Sequence, residues 1–447
     1  MPDRGSLSGR LAWGTAAAFF VYGGGAGVSY VAQLAVARIV GPADYGVYAY
    51  VLAWATVLAY FCALGFDVSL LRFVSAYRAR QSWGLMLGVT RFADRVVAAT
   101  GVGVALVGVA LVLTFGLVPG RFARTFVSGF ALVPALALLW VRCSTSRALG
   151  GVVIALAPDR LVRDGLLLVL VVALGPVLGW RLDAACVMDA TVLAGVVGLG
   201  LASLARRHLS QRFFDVTPQF DARTWMRAAG PLVVLGAVEA MMNRTGVVLL
   251  GWTGAVTEAG IYAVVFNVAF LAILPRTAAN TLFAPAISEL FVSDDRTALQ
   301  ALMTRTAVWA FLGATAIALP LLVLTGPILS WFGHDFAAGV MAARILLVGQ
   351  IAASAAGCPL FIMTMTGRER AAAAILTASA AGNVLLGLGL IRVLGLEGAA
   401  VAASINMIVW NLAMAMFVRR KLGLRSDVFA VLAPSRTEPK VPRCSVL

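Results

Sequence analysis

An all-α protein that crosses a membrane about twelve times, in two six-helix lobes related by an internal repeat, is what this sequence predicts. Three observations carry that expectation. The first is composition: 61% of the 447 residues are hydrophobic, 12% are charged, and the mean hydropathy is +0.94. A soluble domain is about 25% charged, and no water-soluble core hides this much apolar surface, so lipid is the solvent for most of the chain. The second is the length of the apolar runs, as at 11–36 and 96–118. In lipid every backbone group must be satisfied internally, which leaves helices or closed barrels, and barrel strands alternate in polarity where these runs do not. The third is self-similarity at one fixed offset.

Twelve spans are expected at roughly 12–36, 47–67, 96–118, 125–141, 165–180, 184–204, 230–251, 260–283, 306–326, 341–366, 371–391 and 398–418, each near the ~20 residues a bilayer needs. The first run is too long for the apolar region of a cleavable leader and reads as a retained helix. The stretch 142–164 stays open: its apolar run 148–157 can extend helix 4, extend helix 5 or lie at the interface. The five cysteines, at 62, 143, 186, 358 and 444, follow no pairing motif, and three fall in predicted spans, so no disulfide is expected.

The repeat is legible in short motifs. Asp44-Tyr45-Gly46-Val47-Tyr48-Ala49 returns as Glu258-Ala259-Gly260-Ile261-Tyr262-Ala263, an offset of 214. Leu182-Asp183-Ala184-Ala185 matches Leu396-Glu397-Gly398-Ala399 at the same offset. Both pairs sit between predicted helices on one face of the membrane. The halves then comprise 1–204 and 230–418, joined by a polar linker at 205–229 and followed by a tail at 419–447. Six is an even number, so both halves enter from the same side, the parallel arrangement in which a central crevice opens alternately to either face. The acid and glycine of the first motif read as a helix start, the acid complementing the helix dipole.

The formal charge of +15 reflects topology rather than nucleic-acid binding. Of 35 Lys and Arg, 27 fall in segments on the side of the N-terminus, and five (Arg38, Arg121, Arg124, Arg181 and Arg392) on the other. That asymmetry places both termini in the cytoplasm by the positive-inside rule, with anionic membrane lipids as a secondary contact.

The remaining three cations, Arg244, Arg276 and Arg344, lie inside spans. A charge at mid-bilayer costs about 3 kcal/mol on insertion scales, so it persists where it faces protein or water. Glu239 and Asn243 are four apart and share a helix face, whereas Arg244 is turned away from Glu239. Arg276 follows Pro275, which frees carbonyls, and shares a face with Asn280. Arg244, Arg276, Arg344, Asn243 and Asn280 are the candidate substrate-binding residues, and Glu239 is the candidate ion-coupling residue. A guanidinium binds phosphate oxygens in pairs, so the patch suits a diphosphate or acidic sugar. The competing reading is an ion pair between Glu239 and Arg276, or, for Arg344, snorkelling to the interface. Gly23 and Gly27 form G-x-x-x-G, which usually marks close helix packing.

Other chemistry is missing from the pattern. The two lysines, Lys421 and Lys440, do not follow a glycine, so no phosphate-binding loop exists. The two histidines, His208 and His334, fall on opposite faces, and no C-x-x-C or H-E-x-x-H occurs. No catalytic residue, metal site or cofactor is expected, and an enzyme is the weaker class.

With these segments in view, the chain resembles the polysaccharide-transporter branch of the MATE-like flippase superfamily, the O-antigen flippase (Wzx) type. The resemblance rests on 37–48, with the pattern ARxxGPxDYGxY, and on Leu64-Gly65-Phe66 with Leu71-Arg72-Phe73. In the second half it rests on Asn243-Arg244, Gly260-Ile261-Tyr262, Ala284-Pro285-Ala286-Ile287-Ser288 and Gly395-Leu396-Glu397-Gly398-Ala399-Ala400. Many members carry an acid where this chain has Asn243. The resemblance implies two six-helix lobes around a cationic cavity, alternating access and coupling to an ion gradient. It implies an undecaprenyl-diphosphate-linked oligosaccharide as substrate, made and used by glycosyltransferases and a polymerase in the bacterial inner membrane. The alternative is an ion-coupled multidrug or metabolite antiporter of the same superfamily.

Overall fold

The computed structural model describes residues 4–116, 120–210, 216–277, 283, 287, 290 and 295–432, with side chains from residue 23 except at 121, 152–154, 210 and 431–432. Among these residues everything regular is helical. Two long helices are hairpins, each folded at a glycine that takes a left-handed backbone which a β-carbon would strain. Arg4–Ala63 bends at Gly41 (φ 78°) into α1 (4–40) and α2 (42–63), and Glu369–Leu422 bends at Gly395 (φ 53°) into α13 (369–394) and α14 (396–422). Between them lie α3 (Phe66–Ala79), α4 (Trp83–Phe115), α5 (Gly120–Ala148), α6 (152–177) and α7 (Ala184–Ser210). The second half continues with α8 (Ala222–Trp252), α9 (Val256–Phe270), α10 (Arg296–Phe332), α11 (Val340–Ser354) and α12 (Pro359–Met365).

Nine helices among the described residues are long and apolar enough to cross a membrane. Two of them are the hairpins, which cross twice each, and α6 adds one more, so the described residues make twelve crossings of a helical membrane protein. The outward faces are greasy, as at Leu113, Phe115, Val323, Leu385 and Val393, because lipid replaces water there. The inward faces carry the large buried rings Tyr45, Tyr48, Tyr262, Phe332 and Phe336.

The repeat has a physical counterpart at the contact between α2 and α9. A β-carbon on Gly46 would lie 1.9 Å from the Val256 carbonyl oxygen, and one on Gly260 would lie 2.5 Å from that of Pro42. Both residue pairs, 46 with 260 and 42 with 256, are 214 apart. Each glycine therefore meets the repeat-mate of the residue its own mate meets, the reciprocal pattern of a two-fold contact. The lobes touch backbone to backbone here, on the face away from the connection between α7 and α8, which is shorter than the expected 205–229 because α7 runs to Ser210 and α8 starts at Ala222.

Two expectations change. Span five runs over 152–177 rather than 165–180, and takes in Asp159, Arg160, Arg163 and Asp164. Hydropathy rejects such a segment because it counts each charge alone. Here Arg163 pairs with Asp159 at 2.7 Å and with Asp164 at 2.9 Å, and Asp164 also accepts from the Ser29 hydroxyl of α1. Paired and hydrogen-bonded charges are affordable where single ones are not. Pro158–Arg163 and Ala173–Val177 are wound wider than an α-helix, a form that often accompanies functional or strained positions. The second change concerns Gly23 and Gly27, which have nothing within 4 Å of an added β-carbon, whereas Gly25 between them meets the Arg160 β-carbon at 2.7 Å. Two residues along a helix are a turn of about 200°, so the close face of α1 is nearly opposite the one the motif indicates.

Candidate functional site

A hollow of about 400 Å³ lies within the second lobe, walled by α8, α9, α11, α12, α13 and α14. Each polar group reaches it for a local reason. On α8, Glu239 and Asn243 are one turn apart and both line the hollow. Beyond the end of α9 the chain stays helical to Thr277, where Pro275 cannot donate to the carbonyl four residues back and the winding narrows at Leu271–Ile273 before Arg276. Gly313 of α10 takes the ring of this proline at close range, its added β-carbon meeting the Pro275 β-carbon at 2.6 Å. The Arg276 guanidinium then points into the hollow, donates to Asn411 Oδ1 at 3.4 Å and sits 6.0 Å over the Trp410 ring. Asn411 is held in register by its own amide, which donates to the Met407 carbonyl at 2.8 Å.

The ion pair of the competing reading, Glu239 with Arg276, is not formed: the two feel each other's charge, but Arg276 takes the Asn411 amide as its hydrogen-bond partner. Glu239 has no hydrogen-bond or ion-pair partner among the described residues. The hollow is finished by three further buried amides, Gln350, Asn383 and Asn406. It is thus a polar chamber with one acid and one base held apart, faced with the aromatic rings of Phe266, Phe270 and Trp410.

Arg244 belongs to a different compartment. One residue along a helix is a turn of 100°, and that turn takes Arg244 out of the hollow and towards the first lobe. Its electrostatic neighbours are Tyr45, Tyr48 and Tyr60 of α2 and Arg163 of α6. Half-buried, it has no hydrogen-bond or ion-pair partner among the described residues. Tyr60 stacks on Trp140 with ring centroids 4.4 Å apart, and it stands 3.5 Å from an added β-carbon on Gly236 of α8. The seam between the lobes at this level is therefore lined by aromatic rings, with a cation on each side.

Of the residues singled out from sequence, Glu239, Asn243 and Arg276 come together in one hollow, and Arg244 lies beside it across α8. Arg344 is exposed on α11 and does not line the hollow, the placement of a snorkelling cation. Asn280 lies outside the described residues. Sequence reasoning missed Gln350, Asn383, Asn406 and Asn411, although an amide inside an apolar run is a signal of its own. It also missed the charges of α6, all four of which lie in the stretch 142–164 that the sequence leaves open.

Residues 11–157 match the family described as polysaccharide biosynthesis protein. Among curated proteins, none matches this chain. The fold recurs among solved structures. An inward-facing multidrug resistance MATE family transporter of the MOP superfamily superposes with a TM-score of 0.73 at 12% identity, over 89% of this chain and 94% of that one. An outward-facing MATE family transporter of the same superfamily gives 0.65 at 14% identity, over 90% and 94%. A point mutant of the Vibrio cholerae MATE transporter VcmN gives 0.61 at 16% identity, over 92% and 98%. At these identities the likeness establishes the fold.

Proposed function

We propose that this chain is a transporter of the MOP superfamily, a reading supported by the family match over residues 11–157 and by the fold. The substrate is an oligosaccharide on undecaprenyl diphosphate, turned across the bacterial inner membrane by alternating access during surface polysaccharide synthesis. The observation that carries this reading is the pair of guanidinium groups on either side of α8. Neither Arg244 nor Arg276 has a carboxylate within ion-pair distance among the described residues. Desolvated cations without counter-charges are costly, and they persist where an anion visits. A diphosphate answers two such groups through paired oxygens.

The two compartments divide the work. A hollow of about 400 Å³ is at the small end of ligand-pocket sizes, so it takes a sugar unit or ordered water rather than a whole oligosaccharide. The bulk of the head group passes along the seam by Arg244, Tyr60 and Trp140, where aromatic faces suit sugar rings. The lipid tail stays in the bilayer. Glu239, an acid without a fixed partner, is the residue that takes up a proton or small cation. With both termini cytoplasmic, the lobe contact at Gly46 and Gly260 lies at the outer face.

A second reading, an ion-coupled antiporter of organic cations, is favoured by Glu239 facing Phe266, Phe270 and Trp410 in one chamber. Deletion separates the two. The flippase reading expects the lipid-linked saccharide to accumulate on the cytoplasmic leaflet and surface polysaccharide to disappear. Normal surface polysaccharide together with raised drug sensitivity would reject it in favour of the antiporter.

A further inference from the structure

The linker end of the first lobe carries a second hollow, of about 130 Å³, between α3, α4, α5 and α7. Its floor is apolar, from Met86, Leu87 and Leu149, and its rim carries Arg91, Arg206 and Arg207. One acid, Asp94, faces this ring of cations. Arg206 reaches its Oδ2 at 2.6 Å, and Arg142 stands 3.8 Å from its Oδ1. At the inner end of that second pair, the buried Asp94 Oδ1 and Arg142 Nε make no hydrogen bond. Arg91, Arg142 and Arg206 set against this one carboxylate leave an excess of two positive charges around a concave, part-greasy surface. Arg91, exposed at the rim, has no hydrogen-bond or ion-pair partner among the described residues.

Depth decides what such a hollow can hold. α4 has 33 residues and is about 50 Å long at 1.5 Å per residue, against about 30 Å of hydrocarbon. Arg91 and Asp94 precede the apolar run that begins at Val96, so the rim stands at headgroup level and the floor at the edge of the acyl region. A freely hydrated anion would use the rim and leave the apolar floor uncovered. A phosphate that carries hydrocarbon tails uses both.

The neighbourhood gives an occupant something to act on. The linker between the lobes docks next to the hollow: the Gln219 amide donates to the Gly84 carbonyl of α4 at 2.9 Å. Trp225, at the start of α8, donates to the Tyr77 hydroxyl of α3 at 3.0 Å and packs on Phe92 of α4 at 5.6 Å between ring centroids. α3, α4 and the foot of α8 thus meet beside one cationic pocket.

We propose that this hollow is a binding site for the phosphate of an anionic membrane lipid, separate from the transport path and placed at the foot of the connection between the lobes. The test uses the full chain in a neutral detergent. Phosphatidylglycerol, phosphatidylcholine and inorganic phosphate are titrated in turn, with bound lipid read by native mass spectrometry and the melting temperature read in parallel. Phosphatidylglycerol is expected to bind and to raise the melting temperature, with phosphatidylcholine and inorganic phosphate giving neither effect. The double variant R91Q/R207Q should weaken phosphatidylglycerol binding about 30-fold, and R91Q alone about fivefold, while both melt like the wild type in phosphatidylcholine. R419Q/R420Q removes the same charge from the end of the second lobe and should leave binding unchanged. The single variant R91Q removes only an exposed rim group, so it keeps the test open if the double variant fails to fold. Equal binding of the two lipids overturns the proposal, as does an R419Q/R420Q loss as large as that of R91Q/R207Q. Binding of inorganic phosphate as tight as that of phosphatidylglycerol replaces the lipid with a soluble anion and overturns it as well.

Discussion

The two lobes treat buried charge in opposite ways. In the first lobe, Arg163 of α6 is clasped between Asp159 and Asp164, and Asp164 is tied in turn to Ser29 of α1. In the second, Glu239 and Arg276 share a hollow without pairing, and Arg244 on the seam has no partner among the described residues. A closed cluster has its electrostatic needs met inside the protein, so its work is to join α1 to α6. An open set has unmet needs, and a visiting anion or ion can meet them. Charge count alone does not distinguish the two; pairing does.

The sharpest break of this comparison is Arg163→Ala. It strands two carboxylates in a part-buried site, and removing one partner of such a network costs about 3–5 kcal/mol. The expected outcome is a large fall in melting temperature and in the yield of folded protein. A variant that melts like the wild type yet fails to transport would move the cluster from scaffold to site and erase the contrast between the lobes.

Arg276→Ala is expected to do the reverse. Loss of a charge-assisted contact to the substrate is worth about 1.5–3 kcal/mol, so transport of the lipid-linked saccharide falls about 10- to 100-fold while the melting temperature stays close to wild type. Arg244→Gln should behave alike, since the residue has no internal partner to lose. Unchanged transport in both variants removes the cationic site from the mechanism.

Between these lies the contact that holds the lobes together on one face. Gly46→Val places side-chain atoms where the Val256 carbonyl now stands. Overpacking of this kind costs about 1–3 kcal/mol, and here the lobes can relieve it by separating. The variant should therefore favour the conformation opened away from the linker, read as raised labelling of a cysteine placed beside Gly260, with transport slowed. Labelling equal to wild type would mean that this contact persists throughout the transport cycle.

The smallest effect is expected at Asp183, which caps α7 by accepting the Cys186 amide at 2.8 Å. That hydrogen bond holds its carboxyl below the ordinary carboxylate range. A lowered value in the folded state means that the cap stabilises above the ordinary carboxylate value and loses its contribution as pH falls through the lowered one. Asp183→Ala should cost about 1 kcal/mol at neutral pH, and its melting temperature should converge with the wild type in strong acid. A gap that stays constant down to that pH would assign the effect to something other than the cap.

Much of the architecture was legible in the order of residues, for a definite reason. Lipid demands about 20 apolar residues per crossing and tolerates no unpaired backbone, so the run lengths mark most of the spans, and the fifth only in part. The repeated Gly46 and Gly260 motifs, 214 residues apart, announce two related halves, because a tight backbone contact across a two-fold axis asks the same small residue of both partners. The candidate residues Glu239, Asn243 and Arg276 were likewise visible as polar side chains in apolar runs, at spacings that fix their helix face.

Pairing was not visible, because it depends on which helices meet. Sequence spacing puts Arg163 within a turn of Asp159, yet only the packing of α1 on α6 brings Ser29 to Asp164, and without that contact the segment reads as a loop. The same holds for the amides of α11, α13 and α14, which line the hollow of Arg276 from positions more than 70 residues away. Composition and periodicity determined that this chain is a two-lobed bundle in lipid, since the solvent acts on every residue separately. Which buried charges are satisfied and which are left for a ligand was decided by tertiary structure alone, because satisfaction is a property of neighbours.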